Sequence, residues 1–191
     1  MAEKNDPFYI CICCIVIAFV LVLIIGVSCI TSLLIFGEKN YVYGKKIVVA
    51  SSQSIDTLCY YIAQLEVYDD KNILIPLENI TFSEKDKDND TEKNIIKDGK
   101  YTNYANVGCN NAQKTIQLSF KEKKKISRIV IYNRADCCKN LMSLTSVTVY
   151  DDIDKLVFTS NPIKYASYAY VFRPYGKNTE PEYYPPIDLD K

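Results

Sequence analysis

From Phe8 to Phe36 the chain reads FYICICCIVIAFVLVLIIGVSCITSLLIF, with no charged residue and no proline. A helix of about 20 apolar residues spans the ~30 Å hydrocarbon core of a bilayer, so this run is long enough to cross with tilt. A helix also satisfies its own backbone hydrogen bonds inside lipid, which no other single segment does. Asp6-Pro7 supplies a start signal, and Gly37 a stop just before Glu38-Lys39. A cleaved signal peptide has an apolar core of about 7–15 residues behind a positive n-region. Here the run is longer, and Met1–Asp6 carries Glu3 and Asp6 against Lys4 alone. The expectation is a retained transmembrane helix over 8–36, preceded by a short flank at 1–7.

Everything after the anchor fits one domain of ordinary size. With 23 basic and 23 acidic residues the net charge is zero, which argues against nucleic acid as a partner. Histidine is absent, and with it go the usual general base, the usual zinc ligand and the Ser-His and Cys-His nucleophile pairs. Neither a phosphate-binding glycine loop nor a metal-ligand spacing is present. The expectation is therefore no enzyme, no catalytic residue, no metal and no cofactor.

Orientation follows from the flanking lysines. Lys4 stands before the run, whereas Lys39, Lys45 and Lys46 follow it closely. By the positive-inside rule the C-terminal domain faces the cytosol. Two features pull the other way. Asn79-Ile80-Thr81 and Asn89-Asp90-Thr91 are glycosylation sequons, which act only on a luminal face. Four cysteines (Cys59, Cys109, Cys137 and Cys138) lie outside the anchor, and disulfides persist in oxidising compartments. Four cysteines allow three pairings, and the sequence alone does not choose among them.

The domain reads as β throughout. Tyr41–Tyr43, Lys46–Ala50, Ile62–Tyr68, Thr115–Phe120, Ile126–Asn133, Leu144–Asp151, Lys155–Thr159 and Tyr168–Phe172 alternate or are rich in β-branched and aromatic residues. Asp151–Asp154 reads as a hairpin turn, Lys121–Lys125 as a polar turn, and Ser83–Lys100 as a solvated loop. Lys71–Ile80 contains Pro76 and is at most an edge strand. From Pro174 onward the prolines indicate an extended tail. No three-turn helical stripe appears. The domain plan is thus a linker at 37–45, an all-β antiparallel sandwich at 46–173, and a Pro-rich tail at 174–191.

One block carries more information than the rest: Ser127–Asp152, SRIVIYNRADCCKNLMSLTSVTVYDD. A hydrophobic strand runs into Asn-Arg-x-Asp-Cys-Cys, and a second strand follows. This resembles the fucolectin (F-type lectin) signature within the galactose-binding-like jelly rolls, whose wider relative is the discoidin, or coagulation-factor type C, domain. Ile96–Tyr101 (IKDGKY) is similar to an Asp-Gly segment preceding the ligand face in that superfamily. The resemblance implies a jelly-roll fold. It also implies that Arg134 donates to sugar hydroxyls, that Cys137-Cys138 form a contiguous disulfide against the sugar's apolar face, and that Asp136 holds an arginine. A guanidinium has five fixed donors, which suits a pyranose.

The chain departs from that pattern. The family's upstream histidine is missing, and Leu141 stands where a second basic residue belongs. Asp98-Gly99 is followed by Lys100 rather than by a recognisable calcium loop. The alternative for Arg134 and Asp136 is an ion pair that pins a loop; for Cys137-Cys138 it is two buried thiols in a cytosolic domain, and Cys59 with Cys109 is the natural second pairing. The pairing of such a sandwich with an anchor resembles virion proteins of large DNA viruses. The leading expectation is a structural component, linking a virion membrane to capsid or neighbouring membrane proteins. The alternative is a carbohydrate-binding surface module with a glycan partner.

Overall fold

The computed structural model describes residues 16–27, 39–52, 60–83, 90–107, 114–176 and 178–184. Cys59, Cys109 and Asn89 fall outside them, as do residues 8–15 and 28–36 of the expected span. Residues 16–27 are helical, and their large side chains, from Val16 to Val27, are all exposed. Among the described residues no helix is long and apolar enough to cross a membrane.

The second unit is built from two antiparallel sheets of five strands each. The strands are β1 (Val42–Ser51), β2 (Tyr60–Tyr68), β3 (Asn79–Phe82), β4 (Ala105–Val107), β5 (Thr115–Ile126), β6 (Arg128–Asn133), β7 (Thr145–Tyr150), β8 (Leu156–Thr159), β9 (Ala169–Phe172) and β10 (Glu182–Tyr184). The first sheet runs β3-β5-β1-β7-β8, and the second β10-β9-β6-β2-β4. Ile47, Val49, Leu118 and Val147 of the first share a core with Leu65, Ile129, Ile131 and Phe172 of the second. This is the two-sheet sandwich that period-2 patterning requires.

The alternation is cleanest in the first sheet. In β7, Thr145, Val147 and Val149 are buried, while Ser146, Thr148 and Tyr150 are partly exposed. Gly44 lies where β1 passes closest to its neighbours. A Cβ there would sit 2.5 Å from Val149 Cγ1 and 2.7 Å from Ile126 Cδ1, so only glycine fits without displacement.

Several expectations need correction. The linker at 37–45 is too long, because β1 already begins at Val42 and pairs with Ile126. Lys121–Lys125 is not a turn. β5 continues through it to Ile126, and a register shift opposite Gly44–Lys46 takes up the extra residues. The loop expected over 83–100 contains a short helix, Asp90–Ile95, and Ile96 after it is fully buried. The tail expected from 174 is also part of the sandwich as far as Tyr184. β10 pairs with β9, Tyr183 packs against the core, and Arg173 Nε donates to Glu182 Oε1 at 2.6 Å. An edge strand tolerates the flanking prolines because its outer N–H groups need no partner.

Candidate functional site

β6 ends at Asn133, and the chain then leaves the sheet through Arg134–Cys138 into the 3-10 turn Lys139–Met142. Asn133 sets the path. Its side chain is fully buried, and Nδ2 donates to the Lys139 carbonyl at 2.9 Å and the Ser167 carbonyl at 3.3 Å. Its Oδ1 accepts from Arg134 N at 2.9 Å. The Tyr170 hydroxyl also donates to the Lys139 carbonyl, at 3.2 Å, and accepts from Ser167 N at 3.0 Å. Both ends of the loop are therefore tied to the buried end of β9.

Arg134 lies against two tyrosines that the sequence reading did not single out. Its guanidinium carbon is 3.9 Å from the centre of the Tyr104 ring and 5.4 Å from that of Tyr61, and those two rings meet edge to face at 5.6 Å. Arg134 N also donates to the Tyr61 carbonyl at 3.2 Å. A register shift in β2 between Ile62 and Gln64 accompanies this arrangement. On the guanidinium's edge, Nε donates to Asp136 Oδ1 at 2.5 Å and Nη2 to Oδ2 at 2.8 Å, a two-pronged pair. That bond holds the Asp136 carboxyl below the usual carboxylate range and raises Arg134 further.

Cys137 and Cys138 are joined as a vicinal disulfide. Cys138 adopts a left-handed backbone (φ 63°), which costs a non-glycine residue about 1–2 kcal/mol, and its carbonyl accepts from Leu141 N at 3.1 Å. The structure thus brings Arg134, Asp136, Cys137 and Cys138 together in one loop. Asn79 lies apart, exposed on the edge strand β3.

A second polar cluster occupies the outer face of β2 and β6. The nearly buried Glu66 accepts from the Tyr101 hydroxyl at 2.6 Å and the Tyr68 hydroxyl at 2.7 Å. Tyr132 packs edge to face on Tyr101 at 4.7 Å. Burial, followed by the charge of Glu66, pushes the Tyr132 phenol up to about 12; burial and the Glu66 hydrogen bond also push Tyr101 upward. Arg128 covers the Tyr68 ring at 3.9 Å. These tyrosines are 31 and 33 positions from one another along the chain, so no spacing announces them.

Compared with family models, curated proteins and solved structures, the chain has no match.

Proposed function

We propose that this chain is a membrane-anchored, non-enzymatic scaffold. Phe8–Phe36 crosses the bilayer, and the sandwich, a galactose-binding-like jelly roll, binds protein partners on the cytosolic side. Its setting is a virion membrane, where capsid or neighbouring membrane proteins are the partners. One observation carries the choice of scaffold over lectin: Arg134 is already engaged. Asp136 takes two of its five donors and Tyr104 covers one face, and Leu141 stands where the resemblance puts a second basic residue, so a sugar would find one partly engaged cation with three N–H groups left.

The glycan reading retains one specific support, a vicinal disulfide in the same loop as a guanidinium that lies against two aromatic rings. A glycan array probed with the full chain in detergent separates the two. The scaffold reading expects no sugar-specific signal, and a fucose signal abolished by Arg134→Ala overturns it. Protease protection of membrane-embedded chain, read with a tag after Lys191, tests the orientation.

A further inference from the structure

The end of the sandwich where β1 begins carries a pair of matching turns. In Asp69–Ile73, Asp69 Oδ1 accepts from Lys71 N at 2.9 Å and Ile73 N at 2.8 Å, and Asn72 is left-handed. In Asp151–Lys155, Asp151 Oδ1 accepts from Ile153 N at 3.0 Å and Lys155 N at 2.9 Å, and Asp154 is left-handed. Each turn is tied back by its own aspartate, and each displays aliphatic side chains to solvent. Ile73 is 59% exposed, Leu74 52% and Ile153 78%.

Between the turns lie Tyr41 and Tyr43, edge to face at 5.3 Å, with Lys125 over Tyr41 at 4.7 Å and Lys123 over Tyr43 at 5.8 Å. The outward carboxylates of the turns are matched one for one: Asp70 with Lys125, Asp152 with Lys123, and Asp154 with Lys46. Lys45, Lys71, Lys121, Lys124 and Lys155 form no ion pair among the described residues, and Asp69, Glu122 and Asp151 offset three of them. Rigid aliphatic tips, ringed by tyrosine and lysine with their charges largely cancelled, have the make-up of a surface that enters a lipid headgroup layer.

The sequence supplies the occupant. Only residues 37–41 separate the end of the apolar run from Val42, and five residues span at most ~18 Å at full extension. If that run is in a bilayer, this end of the sandwich is confined close to the same bilayer, at the high effective concentration a short tether gives. We infer that the sandwich rests on the surface of the membrane that holds its anchor, with Ile73, Leu74 and Ile153 inserted among the headgroups and Tyr41 and Tyr43 at their level. The inference rests on the anchor reading of Phe8–Phe36. It deepens the scaffold proposal by fixing which end faces lipid, leaving the opposite end, which carries the Ser51–Thr145 pairing and Tyr165, for protein partners. The eight lysines of this end exceed its six carboxylates by only two, so insertion rather than attraction to anionic lipid drives the contact.

The chain has no tryptophan, so one introduced tryptophan is a unique reporter. Full-length Ile73→Trp, Ile153→Trp and Tyr165→Trp are reconstituted into phosphatidylcholine vesicles, with and without phosphatidylserine, and quenched by brominated acyl chains. Vesicle flotation after alkaline carbonate washing tests the anchor independently. The expected result is flotation of all three, with quenching at Ile73→Trp and Ile153→Trp several-fold stronger than at Tyr165→Trp and little changed by phosphatidylserine. Flotation with equal, weak quenching at all three overturns the docking and leaves the anchor standing. Strong quenching at the turns only in phosphatidylserine vesicles overturns the insertion mechanism. Loss from the floated fraction overturns the anchor reading and the docking together.

Discussion

The two sheets face the world differently. On the outer side of β1, β5 and β7 stand Val48, Gln117, Ser119, Thr148 and Tyr150, small or polar and partly wet, so each strand has one buried face. The second sheet is covered on both sides. All four residues of β9 are buried, and Val130, Tyr168, Ala169 and Val171 form a second, smaller core outside the first. Glu66 and its tyrosines are continuous with that layer, since Tyr68 and Tyr132 pack against it. Burial alternates along the strands of a sheet that is wet on one side, whereas in the covered sheet it does not, even in β2, whose alternating Gln64 and Glu66 are buried. The outer layer costs the molecule a buried carboxylate, which is tolerable because phenol donors satisfy it.

Placing a charge on each outer face tests this contrast with the largest expected effect. Val171→Asp buries an unpaired carboxylate and should cost more than about 4 kcal/mol, enough to unfold a domain of this size, whereas Val48→Asp should cost about 1 kcal/mol or less. Urea denaturation of both variants decides; similar midpoints would mean that the second layer is not a core. A smaller effect is expected at Glu66. Glu66→Ala strands the Tyr68 and Tyr101 hydroxyls and should cost about 1–3 kcal/mol, against no more than about 0.5 kcal/mol for Thr148→Ala on the opposite face. Loss of stability in Glu66→Ala without any recovery in the near-isosteric Glu66→Gln would point to charge rather than hydrogen bonding.

The alkaline limb sharpens the comparison further. Folding holds the Tyr132 and Tyr101 phenols above their usual value of 10.0, Tyr132 at about 12. Between these values the unfolded chain has lost phenolic protons that the folded one keeps, so stability is full below pH 10 and falls as pH rises toward 12. Tyr132→Phe should flatten that fall, and phenolate absorbance followed against pH would show an unshifted population only from tyrosines outside the layer. The smallest effect belongs to the Arg134 loop. Asp136 is held below the usual carboxylate range, so its contribution is present above that range and fades as pH drops through its lowered value. Asp136→Asn should remove this acid dependence while barely moving the neutral-pH melting point, because the Asp136 carboxylate is mostly exposed and its bond is screened by solvent. A carboxyl titration by NMR at the ordinary aspartate value would show the pair to be absent in solution.

What the sequence disclosed follows the same division. TIQLSF and TSVTVY alternate, and the structure uses them as read. Strands, though not their order in the sheets, were legible wherever one face had to be wet. The continuous apolar stretch YAYVF identified a strand but not its second buried face, because periodicity cannot show what covers a sheet from outside. The Lys121–Lys125 run was misread because its charges mimic a turn, although lysines pointing outward from a bulged strand cost little. β10 was hidden between prolines, and its anchor, Tyr183, had no patterned neighbours. At the loop, Asn-Arg-x-Asp-Cys-Cys located Arg134 and its aspartate. The tyrosines that hold the guanidinium come from β2 and the segment before β4, and only the folded chain brings them there.

The central position of β1 has a consequence in time. Its partners, β5 and β7, lie about seventy and a hundred residues downstream, as in Val48 against Gln117 and Thr148. No local hairpin protects this strand while it waits, so the closing of a long loop precedes any gain from pairing β1. Such topologies fold in milliseconds to seconds, far more slowly than helical bundles. During synthesis β1 emerges early and stays an open strand until most of the domain has followed, which makes the interval before β7 appears the period of greatest exposure to aggregation.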